Sequence, residues 1–146
     1  MNVLDYKNKL NSISVQSLVK DAVDKHSKQI VKVNQQELSQ GKNFFGESVG
    51  VYSKSTEDIA KKENPRKPKK AGSPFNFEYT GELFDKMFIK YNGKVISISS
   101  KGKGDSEKTL FIEGNNLLGF NDVSAEIINF EILLPDLQQK IKQILS

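Results

Sequence analysis

The chain has 146 residues, a net charge of +4, 36% hydrophobic residues and no cysteine. This length favours a single domain, residues 1–146, that buries a core without disulfides. The absence of cysteine excludes thiolate metal sites. The first ten residues lack the apolar stretch of a secretory signal, and the apolar run at 127–134 is too short and too interrupted to span a bilayer. We therefore expect no contact with a membrane.

A long amphipathic helix is predicted over residues 14–40. Ser14 is a typical N-cap residue and Gly41 is a typical helix stop. Apolar residues recur on one face of this helix at Val15, Leu18, Val19, Ala22, Val23, Ile30 and Val33. The stripe is narrow for so long a helix, and packing against a sheet or another subunit would explain it. Residues 1–12 are expected to add one or two helical turns or to lie across a neighbour, within a helical N-terminal part of residues 1–43.

The next segment mixes glycines with aromatic residues. Residues 41–53 are typical of either a short strand or an ordered loop. Residues 56–63 begin with a helix-cap signature, and Pro65 prevents that helix from running far because the residue before a proline disfavours helical geometry.

Residues 61–70, KKENPRKPKK, are the most strongly charged stretch of the chain. A single acid, Glu63, stands against the basic residues Lys61, Lys62, Arg66, Lys67, Lys69 and Lys70. Because two prolines disfavour both helix and central strand, the sequence predicts a solvated, extended basic loop or arm over residues 54–79. Three interpretations are open for the basic residues. They contact phosphate or an acidic partner, they form an arm that becomes ordered on a neighbouring subunit, or they only keep a loop soluble.

Thr80 is expected to cap a short helical turn that runs through Met87.

The clearest local prediction is a β-hairpin centred on Asn92-Gly93. This dipeptide accepts the positive φ angles of a type I′ turn, and runs of apolar residues flank it. Ile96 and Ile98 alternate with serines, so one face of the second strand is expected to be buried and the other solvated. Residues 108–114 are predicted to add a third antiparallel strand.

The sequence pattern near the C-terminus predicts a helical structure. Asp122 or Ser124 can cap it, and Pro135 suits the first position of a last helix. A single kinked helix over residues 123–146, or a strand around 130–134, is also compatible with the pattern. The whole chain is therefore predicted to be α+β, with a long N-terminal helix packed on a small antiparallel β-sheet and a C-terminal helix closing the core.

No complete motif for catalysis or for metal binding occurs in the sequence. Residues 102–109 resemble a phosphate-binding loop only superficially, because Glu107 stands where the second glycine is required. His26 is the only histidine, which excludes a His-based triad and a multi-His metal site. We expect no cofactor and no enzymatic activity.

Two short motifs carry a family resemblance. A polar loop precedes a Thr-Gly-x-Leu corner at Thr80, Gly81 and Leu83, and a short apolar helix and strands follow it. Residues 117–120, Leu-Leu-Gly-Phe, precede the last helix. This order of parts resembles the virion-morphogenesis proteins of tailed bacteriophages and prophages, which complete the tail or form the head–tail neck. Members of that family often have a Phe-Leu-Gly-Leu-like step, to which residues 117–120 are similar. Two segments usual in the family are absent from this chain: a His/Tyr-x-x-Phe-Gly segment between the strands, and an Arg-Pro before the Phe-Leu step.

The resemblance implies a structural subunit of a virion that acts in a homo-oligomeric ring, as part of the neck or head–tail connector. Its implied partners are copies of itself and the portal or connector and tail-tube proteins, with non-specific contact to DNA in the lumen. Its implied location is the virion, after assembly in the host cytoplasm. The corner at residues 80–83 would serve the fold and not chemistry, and the basic residues of 61–70 would contact a subunit or DNA. The alternative is a small basic nucleic-acid-associated protein of a mobile element.

Overall fold

A computed structural model describes residues 2–78, 81–102 and 117–146 of the chain. Its first helices are α1 (Val3–Ser12), α2 (Val15–Lys25), α3 (Ser27–Ser39), α4 (Lys54–Glu63) and α5 (Glu82–Asp85). They are followed by the strands β1 (Met87–Tyr91) and β2 (Ile96–Ser100), and by a continuous C-terminal helix made of α6 (Asp122–Glu126), a π-helical segment (Ile127–Leu133) and α7 (Leu134–Leu145). The predicted α+β class is confirmed. The predicted third strand at 108–114 lies outside the described residues.

The predicted single helix of residues 14–40 consists of two helices that meet at His26. Ser14 caps α2 as predicted, because its side chain accepts a hydrogen bond from the backbone N–H of Ser17. His26 leaves the helical region, with φ −102° and ψ 15°, and therefore ends α2 and begins α3. The apolar pattern could not reveal this break, since Val23 and Ile30 on its two sides are seven residues apart and keep the helical phase.

Helix α3 is the element on which the core is built. Ile30, Asn34 and Leu38 follow one another at four-residue spacing, which places them on one face, and all three are fully buried. Ile30 packs in a cluster with Ala22, Val23, Ile128 and Leu133. Leu38 packs in a second cluster with Leu83 and Leu117. Helix α3 also contacts β1, so the predicted packing of the N-terminal helical region on the sheet is found.

The predicted β-hairpin is present, but its turn differs from the prediction. Tyr91 lies opposite Ile96 in the antiparallel register, so residues 92–95 form a four-residue loop. Gly93 has φ +93°, whereas Asn92 keeps a negative φ, which excludes type I′. Asn92 Oδ1 instead accepts hydrogen bonds from two backbone N–H groups of the loop, at 3.0 and 2.9 Å. The side chain of Asn92 therefore closes the turn.

The Thr-Gly-x-Leu corner is described from its glycine onward. Gly81 is buried, has φ +83° and occupies the N-cap position of α5, a conformation that favours glycine. Leu83 is buried in the second core cluster. Thr80, the predicted cap, lies outside the described residues. The predicted extent of this helix through Met87 is wrong, because α5 ends at Asp85 and β1 begins at Met87.

The C-terminal helix is capped by neither of the predicted residues, Asp122 or Ser124. Asn121 is the N-cap residue, and its side chain accepts a hydrogen bond from the backbone N–H of Ser124 at 2.8 Å. The alternative of one continuous helix is confirmed, and the alternative of a strand around 130–134 is wrong.

A π-helical segment precedes Pro135 in this helix. Leu134 donates its backbone N–H to the carbonyl of Asn129, five residues back, where an α-helix would use the carbonyl four residues back. Proline has no N–H to donate and its ring clashes with the carbonyl four residues earlier. The wider turn accommodates Pro135 inside a helix that continues without a break.

The strand register is tested by Ile98→Asp. Ile98 is buried and Ser97 beside it is exposed, so the aspartate at 98 would place an unpaired charge in the core. We expect the free energy of unfolding to fall by about 3 to 5 kcal/mol, enough to unfold a marginal domain. Ser97→Asp is the matched control and should change stability little. Chemical denaturation followed by circular dichroism measures both, and an Ile98→Asp variant as stable as Ser97→Asp would contradict the register.

Candidate functional site

The basic stretch of residues 61–70 is not an extended loop. Lys61 and Lys62 lie in the last turn of α4, which begins at Lys54, two residues earlier than predicted. The chain then returns to this helix, because Gly72 donates its backbone N–H to the carbonyl of Tyr52 and Val51 forms a bridge with Pro74. The prediction of an extended loop or arm over residues 54–79 is therefore wrong for the helical part and for the returning part.

The six basic side chains differ in exposure. The exposed ones are Lys61, Lys62, Arg66 and Lys70. Lys67 is half-buried, and Lys69 is buried with 3% of its surface accessible. Lys69 is therefore not available for contact with DNA or a subunit, and the expectation that the whole stretch is solvated is wrong at this residue.

Glu57 holds both ends of the stretch at residues 61–70, which we call the basic segment. Its Oε1 accepts hydrogen bonds from Lys61 Nζ at 2.8 Å and Lys54 Nζ at 3.1 Å, and its Oε2 accepts one from the backbone N–H of Ala71 at 2.8 Å. The hydrogen bond from Lys61, with those from Ala71 and Lys54, lowers the pKa of Glu57 to about 2. We call this arrangement the Glu57 clamp.

A second set of contacts lies beneath the basic side chains. Asn76 Oδ1 accepts hydrogen bonds from Lys69 Nζ at 2.6 Å and from Tyr52 Oη at 2.9 Å. Lys69 Nζ also lies 5.2 Å from the centroid of the Tyr52 ring, and that ring packs edge-on against Phe75. Burial lowers the pKa of Lys69 and raises the pKa of Tyr52. Lys69 thus serves to hold the segment in place.

The start of the C-terminal helix is fixed to α3 by polar groups that are buried or half-buried. Glu37 Oε1 accepts hydrogen bonds from Asn121 Nδ2 at 2.9 Å and from Ser124 Oγ at 2.7 Å. Asn34 Nδ2 donates to the carbonyl of Leu117 at 3.2 Å. These bonds orient the C-terminal helix on α3.

The middle of that helix is held by a buried carboxylate. Asp136 Oδ2 lies 3.3 Å from Lys140 Nζ and 3.7 Å from His26 Nε2, and its Oδ1 lies 3.4 Å from Lys25 Nζ. Burial acts to raise the pKa of Asp136, but the hydrogen bonds and charges of Lys140 and Lys25 outweigh it and leave that pKa below its usual value. Helix α7 is thereby tied to the junction between α2 and α3.

The C-terminal helix exposes a face that is both apolar and acidic. Val123 is 66% exposed and Phe130 is 64% exposed. No lysine or arginine occurs from Leu117 to Gln139. Ile128 and Leu133 are buried. Glu126, Phe130 and Leu134 are exposed, so they lie on the outer side of the helix. The acidic-apolar face consists of the exposed residues Asp122, Val123, Glu126, Phe130, Glu131 and Leu134.

The basic surface, by contrast, lies on α4 and the segment after it. Ile59 is half exposed and precedes Lys62 by three residues, which places both on the outer side of α4. Among the residues that the structure describes, no carboxylate forms an ion pair with Lys62, Arg66 or Lys70. The basic surface consists of Ile59, Lys62, Arg66 and Lys70.

Little else in the described ranges suggests chemistry. Within residues 2–78, 81–102 and 117–146, no three histidine or carboxylate side chains are placed to hold a metal ion. A shallow groove between α1 and α7 is lined by Tyr6, Ile141 and Leu145, and a second depression lies beside the hairpin loop at Asn92. No aspartate, glutamate or histidine lines either depression. No helix in the described part of the chain is long and apolar enough to cross a membrane.

No protein-family model, curated protein or solved structure matches this chain. The resemblance to tail-completion proteins therefore depends on the sequence motifs alone. Of the corner residues, Gly81 and Leu83 are described and both serve the fold, by a positive φ and by core packing.

Sequence reasoning missed the residues that hold the basic segment, namely Glu57, Tyr52 and Asn76. The prediction for this segment was based on its charged residues alone. An available signal was the pair of aromatic residues, Tyr52 and Phe75, that brackets the charged stretch, since two such side chains near the ends of a loop favour its closure by packing.

The Glu57 clamp predicts a pH dependence. The pKa of Glu57 is about 2 in the folded chain and 4.5 ordinarily. Its stabilising contribution is therefore fully present above about pH 4.5 and is lost as the pH falls toward about 2. Glu57→Gln should lower the melting temperature at neutral pH, and its difference from wild type should shrink across this window. Asp58→Asn, which removes a single ion pair with Lys54, should have a smaller effect. A Glu57→Gln difference that is constant with pH would contradict the clamp.

The burial of Lys69 predicts a contrast with its neighbour. Lys69→Ala removes a buried hydrogen bond and the packing on Tyr52, so we expect a loss of about 1 to 3 kcal/mol in the free energy of unfolding. Lys70→Ala changes the charge equally at an exposed site and should stay within about 0.5 kcal/mol of wild type. Denaturant titration measures both, and equal effects would show that Lys69 has no structural role.

Proposed function

We propose that the protein is a structural subunit of a bacteriophage or prophage virion, a tail-completion or head–tail neck protein that acts in an oligomeric ring. The observation that carries this proposal is the exposure of large apolar side chains on two helices. Val3 on α1 is 87% exposed, and Val123 and Phe130 are exposed on the C-terminal helix. Val123, Phe130 and Leu134 share the exposed side of the C-terminal helix. Exposed apolar side chains grouped on one surface are typical of sites where proteins bind one another.

The order of elements supports the same proposal. An N-terminal helical region, a basic segment, a corner at Gly81 and Leu83, a hairpin and a C-terminal helix follow each other as the resemblance implies. The function would then depend on how the surfaces of neighbouring subunits fit together. Surfaces on neighbouring copies make the ring, and the portal or connector and the tail-tube proteins bind to it within the virion.

A role in contacting DNA is compatible with this proposal. Lysine and arginine side chains that face the lumen of a ring would bind phosphates without reading sequence. The exposed side chains of the basic segment are suited to such a contact, whereas the side chain of Lys69 is buried and is not.

A second candidate is a small nucleic-acid-associated protein of a mobile element. It is favoured by the exposure of Lys62, Arg66 and Lys70 without an ion-pair partner among the described residues. A protein of this kind would bind DNA as a monomer, with an affinity that falls steeply as salt rises, because binding releases counterions from the phosphates.

Electron microscopy of the purified protein in negative stain, with light scattering for mass, separates the two candidates. We expect closed particles of one size at low and at moderate salt. A monomer that forms no particles, but retains DNA at low salt and releases it as salt rises, would overturn the proposed function and favour the second candidate.

A further inference from the structure

We infer that the acidic-apolar face of one copy binds the basic surface of a second copy, in a head-to-tail contact. This inference rests on the proposed function and specifies the contact by which the subunits assemble. The partner is a second copy of this chain, because the chain carries two exposed surfaces of opposite charge on different elements.

The acidic-apolar face combines exposed apolar side chains at its centre with acidic side chains around them. Phe130 and Leu134 are exposed, and the neighbouring acids are Asp122, Glu126 and Glu131. None of these three acids forms an ion pair within the described part of the chain. An exposed apolar centre with a polar margin is the composition of a protein interface, and the margin selects a partner of opposite charge.

The basic side matches this composition. Lys62, Arg66 and Lys70 are exposed beside the half-exposed Ile59. Two acids of α4, Asp58 and Glu63, are exposed beside these bases. Lys54 Nζ lies 3.3 Å from Asp58 and neutralises it, and Glu63 has an interaction partner of its own. The two surfaces therefore offer three bases and three acids, each set around exposed apolar side chains.

The basic surface is also held in one conformation before it binds. The Glu57 clamp fixes both ends of the segment, and the hydrogen bond between Lys69 and Asn76 holds the chain shortly before its second end. A segment that is ordered in the free subunit loses less conformational entropy on binding than a flexible arm does.

A second copy fits these features better than DNA does. Phosphates would pair with the basic surface, but they would leave Ile59 and the acidic-apolar face unexplained. Since the two surfaces belong to different elements, each copy can bind one neighbour through each surface. A repeated head-to-tail contact of this kind closes into a ring when the rotation between copies allows it, and otherwise grows into a filament.

Charge reversal tests the contact in the full chain. The first variant is Lys62→Glu with Arg66→Glu, and the second is Glu126→Lys with Glu131→Lys. Each variant alone presents two surfaces of like charge, so we expect its self-association constant to fall at least about tenfold by sedimentation velocity. A one-to-one mixture of the two variants restores opposite charges at every contact and should assemble again.

The matched control is Lys28→Glu with Lys32→Glu. These lysines are exposed on α3 with the same four-residue spacing and the same change in net charge, and this control should assemble as wild type does. Phe130→Ala adds a test without any change of charge and should also weaken assembly. Circular dichroism of every variant checks that the fold is retained.

Each outcome decides between stated alternatives. Rescue in the mixture supports the inference. Wild-type particles with variants that assemble equally well, or a mixture that stays dissociated, overturn the inference while the proposed function stands. A first variant that loses retention of DNA but not self-association assigns the basic surface to nucleic acid and also overturns it. A wild-type chain that forms no assembly at any salt overturns both.

Discussion

The burial of one face of α3 is the constraint on which the rest of the structure depends. Ile30 and Leu38 are both fully buried and lie eight residues apart, a rise of about 12 Å along the helix. Each belongs to a different core cluster, so the helix connects the C-terminal helix at one end to the corner at Leu83 at the other. Between them, the amide of Asn34 holds the carbonyl of Leu117. A shift of α3 would therefore disturb both clusters together.

The charged residues divide into those that hold the fold and those that remain available for binding. Asp136, Glu57 and Lys69 have partners inside the chain and fix, respectively, the helix junction and the basic segment. The exposed acids of the C-terminal helix and the exposed bases beside α4 have no such partners among the described residues. This division gives a scaffold with two oppositely charged surfaces, which suits the proposed assembly.

Local chemistry in the sequence predicted the features that depend on neighbouring residues. The cap at Ser14, the hairpin and the buried position of Ile98 follow from spacing and from the preferences of a few side chains. The features that were missed depend on distant partners. The break at His26 lies against Asp136, and Lys69 is buried because Tyr52 and Asn76 surround it. The acidic-apolar face was not recognised either, because apolar residues in a helical pattern are assigned to a core by default.

The π-helical segment gives the C-terminal helix a tolerance in length. Each hydrogen bond that reaches five residues back encloses one residue more than an α-helical turn does. Removal of a single residue between Ile127 and Leu133 would let the segment close as ordinary α-helix, with the buried side of α6 still turned toward α3 and that of α7 still turned toward α2. The same deletion within α7 would rotate every later side chain by about 100° around the axis. Length variation among related chains, where it occurs in this helix, would therefore be accommodated at this segment.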